Sequence, residues 1–263
     1  MTTPNRVTVE RDGHVLLIGI NRPEKRNAFD LATIDQLGAA YETLGTDDSL
    51  RVGVLFGHGD HFSAGLDLTE VGPAVAEKGP EQIAGSFRFD PFAVWRPPVP
   101  KPVVMAVSGI AFTLSIELAL AADIVIASKS VRFRQLEIGR GIMPFGGATL
   151  RAPAKLGWGN AMRFLLTAEE FGADTAHRIG LVQEVVEPGQ HVTRAKELAH
   201  LIAKQAPLGV RATLENARVS ESQGQQAAMA HLKAQLPKLM ASDDAVEGMT
   251  SFIERREAVF KGS

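Results

Sequence analysis

Short runs of consecutive apolar residues recur along the first two-thirds of the chain. They lie at 15–20, 52–56, 103–107 and 124–127, and polar residues, glycines or prolines interrupt the pattern between them. Continuous apolar runs of this length are typical of strands that are buried on both faces. The sequence therefore predicts four buried strands.

Helical patterns lie between and after these runs. Apolar residues from Leu31 to Leu44 recur at steps of three and four, with Asp30 placed to cap the helix. The stretch 115–122 predicts a buried helix, and from about Gln190 the pattern is helical to the end. Strands that alternate with helices favour an α/β architecture with layered sheets. An apolar stripe on a later helix comprises Met229, Leu232, Leu236, Leu239 and Met240.

The stretch 73–102 is the least regular part of the chain and contains seven prolines. Proline removes a backbone donor and interrupts regular pairing. We expect a helix-containing excursion followed by a mobile surface loop.

Composition narrows the function classes. The chain has 263 residues with a net charge of −2, which argues against a whole-chain basic surface for nucleic acid. It contains no cysteine, which excludes disulfides, thiolate metal sites and a cysteine nucleophile. No apolar stretch is long enough to span a bilayer, and residues 1–14 lack the apolar core of a signal peptide. We expect a soluble, cytoplasmic protein of one large or two small domains.

Two carboxylates stand in apolar surroundings. Glu117 lies within the buried helical stretch, and Glu137 lies between Leu136 and Ile138. Desolvation raises the pKa of a carboxyl group, and two such groups can act as acid and base on one substrate. The alternative is structural: Glu117 pairs with an arginine, and Glu137 is a partly exposed loop residue.

Two turns, at 62–68 and 109–115, follow predicted strands and open helices. Backbone N–H groups at the start of a helix lack partners, and two that converge could bind an oxyanion. The alternative is that water satisfies them.

Three other sets of polar residues are candidates for a site. His58, Asp60 and His61 lack a further ligand at a spacing suited to a metal, so no metal site is expected. Ser63 lacks the flanking glycines of a nucleophile elbow. The cluster of Arg22, Lys25 and Arg26 could bind a phosphate, or it could be a solvated turn.

Several segments together resemble the enoyl-CoA hydratase/isomerase (crotonase) superfamily. They are 21–28, 62–68, 117–124, 144–151, 176–186 and 252–256, in order and over nearly the whole chain. The resemblance implies a crotonase-like spiral of ββα units over residues 1–190. It also implies a C-terminal helical trimerisation region over 191–263, and a homotrimer or homohexamer that binds acyl-CoA.

The resemblance also implies roles for individual residues. The N–H groups of Leu66 and Leu114 would form the oxyanion hole. Glu117 would orient and deprotonate water, and Glu137 would protonate C2. No metal or redox cofactor is implied, because coenzyme A is carried by the substrate. The positions implied for coenzyme A binding are Arg22, Lys25, Arg26, Ala28, Ala64, Leu66, Asp67 and Leu68.

Two positions depart from the family pattern. Leu114 and Phe145 stand where glycines are common, so we expect a reshaped acyl pocket. The first functional hypothesis is a 2-enoyl-CoA hydratase. The second is a sibling reaction, namely isomerisation, dehydration or hydrolysis of an acyl-CoA, and the third is a catalytically weak acyl-CoA-binding protein.

Overall fold

The structure, a computed structural model, describes residues 5–263. This part of the chain forms nine strands in two sheets. The strands are β1 (Val7–Asp12), β2 (Val15–Ile20), β3 (Val52–Gly57), β4 (Val103–Val107), β5 (Ile110–Phe112), β6 (Ile124–Ser128), β7 (Arg132–Arg134), β8 (Phe171–Gly172) and β9 (Glu184–Val186).

Helices follow most strands and dominate the C-terminal part. Ten α-helices lie within residues 5–263, together with short 3₁₀ turns at Pro23–Lys25, Pro80–Ala84 and Glu137–Arg140. The helices are α1 (Leu31–Thr46), α2 (Leu68–Lys78), α3 (Leu114–Ala121), α4 (Ala148–Leu156), α5 (Trp158–Thr167), α6 (Ala173–Arg178), α7 (His191–Ala203), α8 (Pro207–Gln223), α9 (Gln225–Met240) and α10 (Asp243–Glu254).

The larger sheet has the strand order β1-β2-β3-β4-β6-β9, and the smaller has the order β5-β7-β8. Only β1 runs antiparallel to its neighbour in the larger sheet. Two successive strands, β4 and β5, divide between the sheets before α3 follows, and β6 and β7 divide in the same way. This confirms the predicted α/β class with layered sheets.

The four predicted strands are all present, each within one residue of its predicted end. The run 15–20 forms β2 with all six residues buried. Asp30 caps α1 as predicted, since its side chain accepts a hydrogen bond from the Thr33 amide at 2.8 Å. The helical pattern does not reach the chain end, because α10 finishes at Glu254.

Two apolar layers hold the larger sheet. One face packs against α7 through Ala195, Ala199 and Ala203, whose small side chains let the helix approach Val54 and Val104 closely. The other face belongs to the main core with α1, α3 and the smaller sheet. The layers place the loops that follow β3 and β4 at one end of the sheet, where the candidate site lies.

The expectation for 73–102 was wrong in one respect. Its helix is α2, which contains Pro73, but the rest is not a surface loop throughout. Ile83, Phe89 and Phe92 are buried in the main core. The buried Asp90 carboxylate accepts hydrogen bonds from three following backbone amides, at 2.8–2.9 Å, which fixes the local turn.

Hydrogen bonds and ion pairs help to attach the C-terminal helices to this body. Arg218 of α8 donates to the Val99 carbonyl and pairs with Asp123 at 3.2 Å, and Arg51 donates to the carbonyls of Ala203 and Phe260. The first of these helices, α7, packs on the larger sheet and not apart from it. The division predicted at residue 190 therefore stays a prediction. None of the helices within residues 5–263 is both long and apolar enough to cross a membrane.

Candidate active site

The turns at 62–68 and 109–115 lie side by side. The Ser63 amide donates to the Ile110 carbonyl at 3.0 Å, and the Phe112 amide donates to the Ser63 carbonyl at 3.0 Å. Ser115 reinforces the pair, because its hydroxyl donates to the same Ser63 carbonyl at 3.2 Å. The structure therefore brings together the two turns that the sequence singled out.

Each turn leaves one backbone amide without an acceptor among the described residues. On either side of Leu66, the Gly65 carbonyl accepts from Phe29 and the Asp67 amide donates to Phe29, which leaves the Leu66 N–H free. Leu114 is the first residue of α3, and its amide has no acceptor within residues 5–263. The preceding amide, of Thr113, donates a hydrogen bond to the Arg134 carbonyl. These are the two predicted oxyanion donors, and both border one cavity.

The strained residue of the second turn is Thr113, which precedes Leu114. Leu114 does not have a positive φ; Thr113 has it instead, at 52° with ψ at −113°. A β-branched residue rarely adopts this conformation. The Thr113 side chain lies against Gly65, whose φ is +104°, and a Cβ at Gly65 would collide with the Thr113 hydroxyl. Leu114 itself is buried and packs in the main core.

Glu117 lies on the first turns of α3 and is 3% exposed. Its Oε1 accepts hydrogen bonds from the amides of Gly146, at 2.8 Å, and Ala148, at 3.2 Å. Burial raises the pKa of Glu117 to about 7, and the nearby charge of Glu137 adds to the increase. A side chain at Gly146 would force the Glu117 carboxyl group to shift, because a Cβ there would lie 2.5 Å from Glu117 Oε2.

Glu137 begins the 3₁₀ turn that follows β7 and is 8% exposed. Its Oε1 accepts a hydrogen bond from the Gln135 side-chain amide at 3.1 Å, while Oε2 is buried without a protein partner. Burial raises the pKa of Glu137 to about 7. Both structural alternatives are therefore wrong: Glu117 is bound by backbone amides rather than by an arginine, and Glu137 is buried.

The two glutamates and the two free amides line a single cavity of about 190 Å³. A carbonyl placed on the amides of Leu66 and Leu114 would have both carboxyl groups within the same small space. Two carboxyl groups with pKa values near 7 supply an acid and a base at neutral pH. The arrangement can stabilise an enolate and move protons to and from the adjacent carbons.

The segment implied to bind coenzyme A has two distinct parts. The Arg22 guanidinium is buried and pairs with Asp67 at 2.9 Å and Asp30 at 3.3 Å, so it braces the turn rather than pointing outward. Lys25 and Arg26 are exposed. The segment adjoins 62–68, since the Ala64 amide donates to the Arg26 carbonyl at 2.9 Å. Ala28 is half-buried in this turn, while Ala64, Leu66 and Leu68 line the cavity that contains the two glutamates.

The other clusters serve the fold. His58 lies 2.7 Å from the Thr8 hydroxyl, and His61 faces the Ile110 amide at 3.3 Å. No cluster of three potential metal-binding side chains occurs within residues 5–263. The Ser63 hydroxyl donates to the Asn27 carbonyl at 2.7 Å and accepts from the Gly65 amide, so it shapes the turn.

Sequence reasoning missed several supporting residues. Gly146 and Ala148 hold Glu117, Gln135 holds Glu137, and Arg140 contributes to the cavity wall beside Glu137. Gln135 carried a usable signal, because it stands only two residues before Glu137 in the chain. Gly146 and Ala148 carried none, because they act through backbone amides about 30 residues from Glu117.

Comparison with known proteins decides the family. The profile described as Enoyl-CoA hydratase/isomerase matches residues 10–263. The chain belongs to the enoyl-CoA hydratase/isomerase family. A crystal structure of a probable enoyl-CoA hydratase/isomerase from Mycobacterium abscessus superposes with a TM-score of 0.93 at 48% identity, over 98% of this chain and 99% of that one. This likeness confirms the predicted crotonase fold.

Two relatives differ in the acyl group that their names give. The 2,3-dehydroadipyl-CoA hydratase of Escherichia coli K12 is 34% identical over 98% of this chain and 99% of its own length. The short-chain-enoyl-CoA hydratase of Clostridium acetobutylicum is 33% identical over 96% of each chain. The family thus covers residues 10–263, and the names of these two members give different acyl groups.

Proposed function

We propose that this protein is an enoyl-CoA hydratase that adds water across the 2,3 double bond of an enoyl-CoA thioester. One observation carries the proposal: two buried glutamates with raised pKa values share a cavity with two free backbone amides. Relatives named as hydratases of CoA thioesters support it.

The reaction follows from the arrangement of donors and acceptors. The thioester oxygen accepts from the amides of Leu66 and Leu114, which stabilise the enolate formed when water adds to C3. Glu117 receives the proton of the water, while its Oε1 stays fixed by the amides of Gly146 and Ala148. Glu137 delivers a proton to C2. The reaction requires an ionised Glu117 and a protonated Glu137. Two groups with pKa values near 7 that share one proton provide this state at neutral pH.

The rest of the ligand is assigned by position. The adenosine and phosphates of coenzyme A would lie along 22–28 and 64–68, with Lys25 and Arg26 available to the phosphates and Arg22 bracing the turn. The proposed hydration requires neither metal nor redox cofactor, because the thioester already activates the double bond. We further propose a homotrimer or homohexamer in the cytoplasm, with the exposed apolar face of α9 in a subunit interface.

Hydration of crotonyl-CoA and longer 2-enoyl-CoA esters tests the proposal through loss of the conjugated enoyl absorbance. The wild type should turn over at least one ester, and Glu117→Gln and Glu137→Gln should each lower kcat by at least about 100-fold. Unchanged kcat in either variant would remove that glutamate from the mechanism.

Solvent deuterium exchange at C2 of a saturated acyl-CoA separates the alternatives. Exchange without hydration would indicate a sibling reaction, because it needs only an oxyanion hole and one base. Tight thioester binding with neither exchange nor hydration would indicate a catalytically weak binding protein.

A further inference from the structure

A second, larger cavity adjoins the catalytic one. It has a volume of about 820 Å³ and lies between α2, α4 and the loop at 141–147. Leu66, Leu68, Ile142 and Phe145 line both cavities, so the two spaces meet at these four side chains. A group attached to the reacting carbons can therefore pass these four side chains and enter the larger cavity.

The lining of this larger cavity is almost wholly apolar. Trp95 and Thr149 contribute the only side-chain N–H and O–H groups among the described residues that line it, and none of those residues is charged. The charged side chains of the site line the smaller cavity instead; they are Glu117, Glu137 and Arg140. A charged group in the larger cavity would lose its hydration without gaining a partner.

The volumes of the two cavities suit different parts of the ligand. The smaller cavity, at about 190 Å³, is below the range of about 300–1,000 Å³ that is usual for small-molecule sites. It suits the thioester and the first acyl carbons. The larger cavity, at about 820 Å³, lies within that range and suits a substantial hydrophobic group.

We infer that the acyl group of the substrate is a long, uncharged hydrocarbon chain whose distal part occupies the larger cavity. The inference rests on the proposed function in taking an acyl-CoA thioester as the ligand. It selects within the family, because one relative acts on a 2,3-dehydroadipyl thioester, whose acyl group ends in a carboxylate. No residue that lines the larger cavity could neutralise that carboxylate.

The rim of the cavity is also apolar. Met143 and Leu150, at 62% and 66% exposure, stand beside Trp95 at 41%. Such a cluster is typical of a surface that is covered by a ligand or by another subunit. Continuity with the catalytic cavity favours the acyl chain, and coverage by a second copy of this protein is the competing outcome of the test.

Calorimetry with three unreactive thioesters tests the inference without requiring catalysis. Butyryl-CoA fills only the smaller cavity, decanoyl-CoA adds six methylenes, and 9-carboxynonanoyl-CoA has the same ten carbons with a terminal carboxylate. Each buried methylene contributes about fourfold in affinity at most. Because the cavity is open at its rim, we expect decanoyl-CoA to bind at least about 10-fold more tightly than either of the others.

A matched pair of variants locates the chain. Ala76 lines the larger cavity on α2, and Ala154 is an exposed position on α4 that lines neither cavity. Ala76→Trp should weaken decanoyl-CoA binding at least about 10-fold more than butyryl-CoA binding, because the indole fills the cavity. Ala154→Trp should change neither affinity, and circular dichroism should show both variants folded.

Equal affinities for decanoyl-CoA and butyryl-CoA would overturn the inference, and so would equal or tighter binding of 9-carboxynonanoyl-CoA. Hydration of crotonyl-CoA and 2-decenoyl-CoA, measured in parallel, tests the proposed function separately. Absent hydration with the expected order of affinities would overturn the hydratase and retain the acyl class. Hydration with equal affinities would retain the hydratase and overturn the acyl class. It would also favour the interpretation that a second subunit covers the larger cavity.

Discussion

Glu117 illustrates, at the scale of a single residue, a conflict between stability and chemistry. Its carboxyl group is buried, receives two backbone hydrogen bonds and still has a pKa raised to about 7. The desolvation cost of the charged form therefore exceeds the stabilisation from the two amides. The ionised enzyme keeps a buried charge that its fold disfavours.

Replacing this carboxyl should make the protein more stable above neutral pH. The pKa of Glu117 is about 7 in the folded state against 4.5 in the unfolded chain, so wild-type stability falls as pH rises between these values. Glu117→Gln lacks this loss and should gain up to about 3 kcal/mol at pH 8, with little gain at pH 4. Urea unfolding at the two pH values measures the difference. An equal gain at both would show that ionisation is not the cause.

Gly146 sets the position of that carboxyl group. An added methyl would lie 2.5 Å from Glu117 Oε2 and would displace either the carboxylate or the amide that holds it. We expect Gly146→Ala to lower kcat for hydration by at least about 10-fold, since small misplacements of catalytic groups are costly. Gly159→Ala is the control, because Gly159 on α5 has open space around it. Full activity in Gly146→Ala would mean that the loop can adjust.

At the scale of elements, the proposed oxyanion hole depends on how two turns meet. Neither turn is a site alone. Their separation is fixed by the contact of Thr113 with Gly65 and by hydrogen bonds to the Ser63 carbonyl from the Ser115 hydroxyl and the Phe112 amide. Thr113 retains a strained conformation at this contact. Strain of this kind is typical of functional turns that the surrounding structure over-determines.

This contact makes a pair of substitutions informative. Gly65→Ala should lower kcat/KM by about 100-fold, because the new methyl collides with Thr113 and displaces the Leu66 amide. Adding Thr113→Gly removes the colliding side chain but not the unfavourable φ of +104° at residue 65. The double variant should therefore recover only part of the loss. Complete additivity of the two effects in steady-state kinetics would argue against a coupled pair of turns.

Elements with local determinants could be predicted from the sequence, and contacts across the chain could not. The continuous apolar run of β2 and the Asp30 cap of α1 depend on adjacent residues, and both were predicted. Burial of Phe89 and Phe92 was missed, because it depends on packing against distant elements. The burial of Arg22 was missed for the same reason, since its partner Asp67 is 45 residues away.

The whole molecule leaves an apolar face on α9 uncovered. Met229, Leu232, Leu236 and Met240 are 51–70% exposed and lie on one side of the helix. A contiguous apolar face of this kind is typical of a subunit interface. It supports the proposed trimer or hexamer.

Light scattering coupled to size-exclusion chromatography tests the assembly. The wild type should elute as a trimer or a hexamer of the 28.2-kDa chain. Leu232→Asp with Leu236→Asp should dissociate it, because two charges would be buried without partners. Ala230→Asp with Ala234→Asp places the same charges on a different face of α9 and should leave the assembly intact. A monomeric wild type would contradict the proposed assembly.

The position of α7 has a consequence for how the protein is made. This helix covers one face of the larger sheet, yet it follows every strand of that sheet in the chain. On the ribosome, β1 to β9 emerge before the helix that shields Val54, Val104 and Ile126. Nascent chains therefore expose a broad apolar surface during the last third of translation. Chaperones should matter most for the yield of folded protein in this period.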